Sequence, residues 1–176
     1  SATPVSLAWS PDGRYIAYYT LSGVAYHLTV LDARTLRHQS LTAALASGAA
    51  ASWSPDSVRV LVLKPNESQQ VEACALHLVD FSLACAALAV NVSMATWSPR
   101  EALWAMVYQG ANGQCVGLFN VDTQHLQDYE CGATYTRPSW SSDGAQVVYM
   151  RLKGSDTAEV VVRHIGEGSE TRYRPN

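Results

Sequence analysis

Short apolar segments of strand length alternate with polar turns along the whole chain. One phrase returns four times: LAWSPDGRYIAYYT from Leu7, ASWSPDSVRVLVLK from Ala51, ATWSPREALWAMVY from Ala95 and PSWSSDGAQVVYM from Pro138. The apolar run that ends each phrase is rich in β-branched and aromatic residues and is too short for a helix, so it predicts a buried β-strand. Helical caps and helical periodicity are missing from the sequence. We therefore expect an all-β fold.

The four phrases recur at a nearly constant period. Their tryptophans are separated by 44, 44 and 43 residues, and they are Trp9, Trp53, Trp97 and Trp140. This period is typical of β-propellers, in which each repeat forms one four-stranded blade. We predict a single propeller domain over residues 1–176, with four blades near residues 3–46, 47–90, 91–134 and 135–176.

Each repeat has the same internal order of predicted strands. The first strand ends at Trp-Ser, and Pro-Asp-Gly or a relative of it supplies the turn, because proline presets φ and Asp and Gly accept a tight corner. In the first repeat, the second and third strands are predicted at residues 15–20 and 26–31. A further turn then precedes a last strand, which gives four antiparallel strands in each blade.

The phrase Trp-Ser-Pro-Asp-Gly, followed by Ile-Ala-Tyr-Tyr, resembles the WD-like repeat of TolB-type propellers, which also occurs in the propeller domains of some serine peptidases. The resemblance extends over the whole chain as four repeats. Ser57 and Glu101 replace the turn glycines in the second and third repeats, so we expect looser turns there. The third repeat also has Arg100 at the position of the turn aspartates, which are Asp12, Asp56 and Asp143.

Every predicted blade is complete within its own stretch of chain. In many propellers a strand from one terminus completes the blade at the other terminus, but here residues 3–9 and 170–174 each belong to their own repeat. TolB-type propellers usually have more than four blades, so the resemblance implies either a small ring closed by blade packing alone or an open arc. An open arc would expose two apolar faces, and head-to-tail contacts between copies would cover them or build filaments.

The composition fits one buried core and argues against several classes of partner. The 176 residues are 48% hydrophobic and 15% charged, with a formal net charge of −3. Ten of the twelve basic residues are arginines scattered without a cluster, which argues against a nucleic-acid or membrane surface.

The apolar stretch 73–90 contains polar residues near its middle, which argues against a transmembrane segment. The start at Ser1, without Met or a leader, suggests a mature or excised product.

The four cysteines fall as two local couples, Cys74 with Cys85 and Cys115 with Cys131. No pair has the CxxC spacing of zinc or redox sites. Each couple flanks a predicted hairpin turn, so a disulfide is possible in each, and four buried free thiols are the alternative. Cys74 and Cys85 flank their turn less symmetrically, and their pairing would need a bulge or a slipped register. Disulfides would place the protein in an extracellular or periplasmic compartment.

The sequence contains no catalytic phrase of the GxSxG, HExxH or Walker type. We expect no enzyme activity, no metal site and no cofactor. Each turn aspartate stands alone in its repeat, without further oxygen ligands, so we interpret these aspartates as turn formers and not as calcium ligands. We interpret the four tryptophans as residues that pack between blades and not as a carbohydrate-stacking set. Asn66 and Asn91 each begin an Asn-x-Ser acceptor for N-glycosylation, and both are predicted in connections between strands.

These patterns together predict a structural or protein-interaction module. The expected partner is another protein or further copies of the same chain in a homo-oligomer, and not a nucleic acid. Two alternatives remain: an accessory propeller cut from a larger hydrolase, and a propeller that binds glycans or another ligand in a central funnel.

Overall fold

The computed structural model describes residues 3–46, 50–154 and 157–174, which form β-strands and the turns between them. The chain divides into two compact units, Ser1–Leu88 and Ala89–Asn176. The described ranges contain no α-helix, and so none long and apolar enough to cross a membrane. The all-β prediction is confirmed. Residues 47 and 176, at which two of the predicted blades begin or end, lie outside the described residues.

The N-terminal unit contains two antiparallel sheets. Sheet 1 is formed, in spatial order, by β1 (Thr3–Trp9), β2 (Tyr15–Ser22), β3 (Ala25–Asp32) and β4 (His38–Leu45). Sheet 2 is formed by β5 (Arg59–Pro65), β6 (Val71–His77) and β7 (Leu83–Cys85), and an isolated bridge joins Trp53 to Val60 on β5.

The C-terminal unit also contains two antiparallel sheets. Sheet 3 is formed by β8 (Asn91–Trp97), β9 (Leu103–Gly110), β10 (Gly113–Asn120) and β11 (His125–Cys131). In sheet 4, β12 (Thr134–Tyr135) and β13 (Ser139–Trp140) both pair with β14 (Gln146–Lys153), which is followed by β15 (Thr157–His164) and β16 (Glu170–Tyr173).

Sheets 1 and 3 have the four strands that each repeat predicts, and sheets 2 and 4 depart from them at the first strand. In sheet 2 the described residues 50–53 of this strand form only the bridge at Trp53, and the Ala-Ala-Ser segment before it is poor in the β-branched and aromatic residues that favour strands. In sheet 4 the strand is interrupted between β12 and β13, where Pro138 has no N–H to give to a ladder.

Each unit has its own apolar core between its two sheets. In the N-terminal unit the buried residues come from both sheets, and they are Ala17, Tyr19, Leu28, Val30, Leu45, Trp53, Val60, Val62 and Leu76. The C-terminal unit repeats the arrangement with Ala105, Val107, Val116, Leu118, Tyr135, Val147, Tyr149 and Val161. Alternate residues of each strand thus face the neighbouring sheet, as the period of two in a strand requires.

The expectation of a looser turn at Ser57 is wrong. Ser57 has a φ of 62°, close to the 68° of Gly13, and its N–H donates to the Ser54 carbonyl at 3.0 Å. This left-handed backbone is unfavourable for a residue with a Cβ. The Ser57 hydroxyl also accepts the Asp12 N–H at 3.0 Å. In the third repeat, by contrast, the Glu101 N–H donates to the Ser98 hydroxyl at 3.3 Å.

The cysteines form two disulfides, Cys74–Cys85 and Cys115–Cys131, and are not free thiols. Cys74 lies directly opposite Cys85 in the β6–β7 ladder, so the expected slip in register is wrong. The reason is that the turn begins earlier than predicted, since β6 already ends at His77.

Candidate interaction surface

The turn that follows each repeat tryptophan is closed by a serine and an aspartate. The Ser10 hydroxyl donates to Asp12 Oδ1 at 2.5 Å and accepts the Tyr15 N–H at 2.8 Å. The pKa of Asp12 lies below its ordinary value, because the Ser10 hydroxyl and the Arg14 N–H both donate to its carboxylate. Matching Ser–Asp pairs form at Asp56 and Asp143. These carboxylates therefore serve the turns, as the sequence predicts.

The tryptophans of the second and fourth repeats join the two sheets of their unit. Trp53 Nε1 donates to the carbonyl of Ala8 at 3.1 Å, and Trp140 Nε1 donates to the carbonyl of Thr96 at 3.3 Å. Ala8 and Thr96 each precede the tryptophan of the repeat before. The same contact is thus made in both units at the same repeat position.

In sheet 1, the face that carries the repeat tryptophan, Trp9, is exposed. Trp9 is 55% exposed, whereas Trp53 and Trp97 are 6% and 3% exposed. Leu7, two residues earlier on the same side of β1, is 67% exposed, whereas Ala95 at the matching position of β8 is 2% exposed. We call this surface the head face, and it is formed by Val5, Leu7 and Trp9 of β1 with Ile16 and Tyr18 of β2.

In sheet 4, the exposed face is the one that points away from the apolar core of its unit. Met150 is 38% exposed, although the residues at its repeat position in the other sheets, Tyr19, Leu63 and Val107, are at most 2% exposed. We call this surface the tail face. It consists of residues that are half-buried or exposed, namely Val148 and Met150 of β14, Val160 and Val162 of β15 and Tyr173 of β16.

Two clefts occupy the same place in the two units, at the outer strands between their sheets. The first is lined by Tyr15, Val30, Asp32, Arg37, His38, Gln39, Leu78 and Phe81. The second is lined by Leu103, Leu118, Asn120, Thr123, His125, Gln127, Tyr129 and Ile165. Their volumes, 170 Å³ and 230 Å³, are below those of ordinary ligand pockets. The clefts are therefore minor gaps of the repeat packing.

A buried carboxylate holds the last strand of the C-terminal unit. Glu159 is 1% exposed and accepts from Arg151 at 3.2 Å and from Arg174 at 2.6 Å. The Arg174 hydrogen bond, together with Arg151, holds the pKa of Glu159 below its ordinary value. Glu130 of β11 also pairs with Arg151, at 2.6 Å, and so connects sheet 3 with sheet 4. Sequence reasoning missed this cluster, whose signal is an acidic residue inside an apolar strand.

The two glycosylation acceptors have different surroundings. Asn66 lies in the turn between β5 and β6, where its Oδ1 accepts the N–H groups of Ser68 and Gln70. Asn91 lies in strand β8, so its predicted place in a connection is wrong. The Ser93 hydroxyl of that acceptor donates to the Val107 carbonyl at 3.0 Å, because β8 pairs with β9 from Asn91 onwards.

The described residues bring one group of metal-ligand types together, namely Glu72, Cys74 and Cys85. Both sulfurs of this group are joined in the disulfide, and thiolates, not bridged sulfurs, are metal ligands. The Glu72 carboxylate also pairs with Lys64. The group is therefore explained by the disulfide and an ion pair.

No protein-family model matches the chain, and no curated protein sequence matches it. Solved structures do resemble it. TolB from Acinetobacter baumannii matches all of the chain with a TM-score of 0.77 and 14% identity, over 43% of its own length. The fold is a TolB-like β-propeller.

Two further structures carry the same resemblance. Puromycin hydrolase matches 97% of the chain with a TM-score of 0.76 and 16% identity. The propeller domain of the Trilobed protease from Pyrococcus furiosus, which has an open velcro topology, matches 98% with a TM-score of 0.70 and 12% identity. The chain spans 29% of the hydrolase and 57% of the protease domain.

Proposed function

We propose that the chain is a non-enzymatic protein-interaction module, in which the four sheets serve as propeller blades and the head face binds another protein. The exposure of Leu7 and Trp9 carries this proposal, because sheet 3 buries both matching residues, Ala95 and Trp97, and Trp53 of the second repeat is buried as well. Contiguous exposed apolar surface on a folded protein marks a site of interaction.

The proposed compartment is extracellular or periplasmic. Two disulfides are consistent with an oxidising environment, since cytosolic thiols are kept reduced. Each disulfide links the last two strands of its sheet, at Cys74–Cys85 in sheet 2 and at Cys115–Cys131 in sheet 3.

Sedimentation velocity over a range of protein concentrations tests the proposed function. We expect the wild-type chain to associate as its concentration rises and the Leu7→Lys variant to remain monomeric, because a lysine would be desolvated in the contact. The control is Val24→Lys, since Val24 is 97% exposed and lies in the β2–β3 turn. Wild-type protein that stays monomeric at every concentration contradicts self-association through the head face.

A second candidate function is an accessory propeller of a larger hydrolase. The resemblance to puromycin hydrolase, and to an acylaminoacyl peptidase from Pyrococcus horikoshii of which the chain spans 33%, favours it. A reading frame that continues into a GxSxG-bearing segment would support this candidate. The head face would then bind the remainder of the same protein.

A further inference from the structure

We infer that the head face is covered by the tail face of a second copy of this chain, so that copies join head to tail. This inference rests on the proposed function and names its partner. The chain supplies the template for the contact, because both of its units already pack one sheet on the next in this manner.

The template is a repeated pairing of two kinds of face. In the N-terminal unit, sheet 1 packs on sheet 2 through residues at the repeat positions of the tail face, and sheet 2 packs on sheet 1 through residues at the repeat positions of the head face. Sheets 3 and 4 pack in the same way in the C-terminal unit. In the C-terminal unit an aliphatic surface that includes Val107 and Leu118 packs against an aromatic one that includes Tyr135 and Tyr149.

The two exposed faces have the same complementary character. The tail face is mainly aliphatic, with three valines and Met150, and the head face offers the aromatic rings of Trp9 and Tyr18. Tail against head therefore repeats the aliphatic-on-aromatic packing of the C-terminal unit. Such packing buries apolar area from both copies without an unpaired charge.

The indole hydrogen bond fixes which atoms meet. In both units the tryptophan donates to the carbonyl that precedes the tryptophan of the preceding repeat. Applied between copies, this rule joins Trp9 Nε1 to the main-chain carbonyl of Ser139 in the second copy. Ser139 is exposed, whereas Ala8 and Thr96 at the same repeat position are half-buried.

A head-to-head contact would not satisfy the same groups. It would bring two indole donors together, and the tail face, with Ser139 opposite Val148 beside it, would stay exposed on both copies. A head-to-tail contact uses a different surface on each copy, so it is heterologous and generates rings or filaments.

Complementation between two variants tests the inference by sedimentation velocity. Leu7→Lys places a charge on the head face and leaves the tail face intact. Met150→Lys places a charge on the tail face and leaves the head face intact. Each variant alone is expected to be monomeric, and an equimolar mixture is expected to form a heterodimer that grows no further. Tyr173→Lys, at a residue 65% exposed on the tail face, replaces Met150→Lys if that variant fails to fold.

The outcomes separate this inference from the proposed function. If Met150→Lys associates on its own like the wild type, and mixing adds nothing, the head face pairs with itself and the head-to-tail contact is wrong. If the wild type is monomeric at every concentration, the head-to-tail contact is wrong, whereas the proposed binding of a different protein by the head face does not depend on this result. If Leu7→Lys still associates, the contact lies outside the head face.

The hydrogen bond has its own matched pair of variants. Trp9→Phe keeps an aromatic ring and removes the donor, so association is expected to weaken about three- to tenfold. Ser139→Ala keeps the accepting main-chain carbonyl and is expected to leave the association constant unchanged. An unchanged constant in Trp9→Phe would remove this hydrogen bond from the contact.

Discussion

Tyr108 donates its phenolic hydrogen to the carboxylate of Asp128 across the strand that separates them. Tyr108 lies on β9 and Asp128 on β11, and β10 runs between these two strands. The pKa of Tyr108 is raised, because burial and then the Asp128 carboxylate both disfavour the phenolate. At Gly117 of β10, an added Cβ would lie 3.3 Å from the Tyr108 hydroxyl and 2.5 Å from the Gln127 carbonyl oxygen.

Gly117→Ala is therefore expected to destabilise the protein by about 1–3 kcal/mol, because the new methyl group overlaps main-chain atoms of β11. The measurement is urea unfolding followed by tryptophan fluorescence. Gly166→Ala serves as the control, since a Cβ there meets nothing within 4 Å. Equal unfolding midpoints for the two variants would show that β11 can move away at little cost.

The repeat tryptophans are expected to differ in their contribution to stability. Trp53→Ala should lower the free energy of unfolding by about 3–5 kcal/mol, because a nearly buried indole is lost. Trp9→Ala should lower it by only about 1 kcal/mol, because half of that indole already contacts water. Both values are measured by urea unfolding at a protein concentration low enough to prevent association. Similar losses for the two variants would mean that the exposure of Trp9 is not maintained in solution.

The left-handed backbone at Ser57 can be separated from its hydrogen bond. Ser57→Ala and Ser57→Gly both remove the acceptor of the Asp12 N–H, but only glycine relieves the positive φ. The glycine variant is expected to be more stable than the alanine variant by about 1 kcal/mol. Thermal unfolding of both variants checks this difference, and a more stable alanine variant would contradict it.

The disulfide in sheet 3 is expected to stabilise the protein by about 3 kcal/mol, since it closes a loop with a sequence separation of 16 residues. The double variant Cys115→Ser/Cys131→Ser should lose that amount in chemical unfolding. The Cys74–Cys85 disulfide closes a shorter loop, with a separation of 11 residues, and its removal should cost slightly less. A reductant should destabilise the wild type, and it should leave the variant that lacks all four cysteines unchanged.

The Glu159 cluster predicts a loss of stability in acid. The folded-state pKa of Glu159 lies below the ordinary value of 4.5, so its contribution is complete above pH 4.5 and is lost as the pH falls through the folded pKa. Glu159→Gln should lower the melting temperature at pH 7 and have little effect at the acid end of the transition. Melting curves at a series of pH values test this, and a constant difference between variant and wild type would contradict it.

The sequence predicts the repeated sheets because their cause is local. Each Trp-Ser turn is closed by residues within six positions of one another, as at Ser10, Asp12 and Tyr15, so a single phrase is sufficient to place it. Pro138 and the small residues near position 50 alter the first strands of two sheets, and the apolar period alone does not reveal this.

The remaining features depend on neighbours that are distant in sequence. Glu159 is buried with Arg151 of the adjacent strand β14 and Arg174, which directly follows β16, as its partners, and no spacing in the sequence predicts this contact. Similarly, Trp9 and Trp53 stand in nearly identical phrases and differ in exposure, because the Trp53 indole packs against sheet 1 and donates to the Ala8 carbonyl there.

Every sheet begins and ends within its own stretch of chain, from β1–β4 in sheet 1 to β12–β16 in sheet 4. Duplication or deletion of one such stretch in the gene would therefore add or remove a whole sheet without breaking a ladder in the others. The newly terminal sheet would present the same kind of apolar face as the one it replaced. A chain of this kind can change its number of sheets during evolution while the first and last sheets keep apolar faces of the same kind.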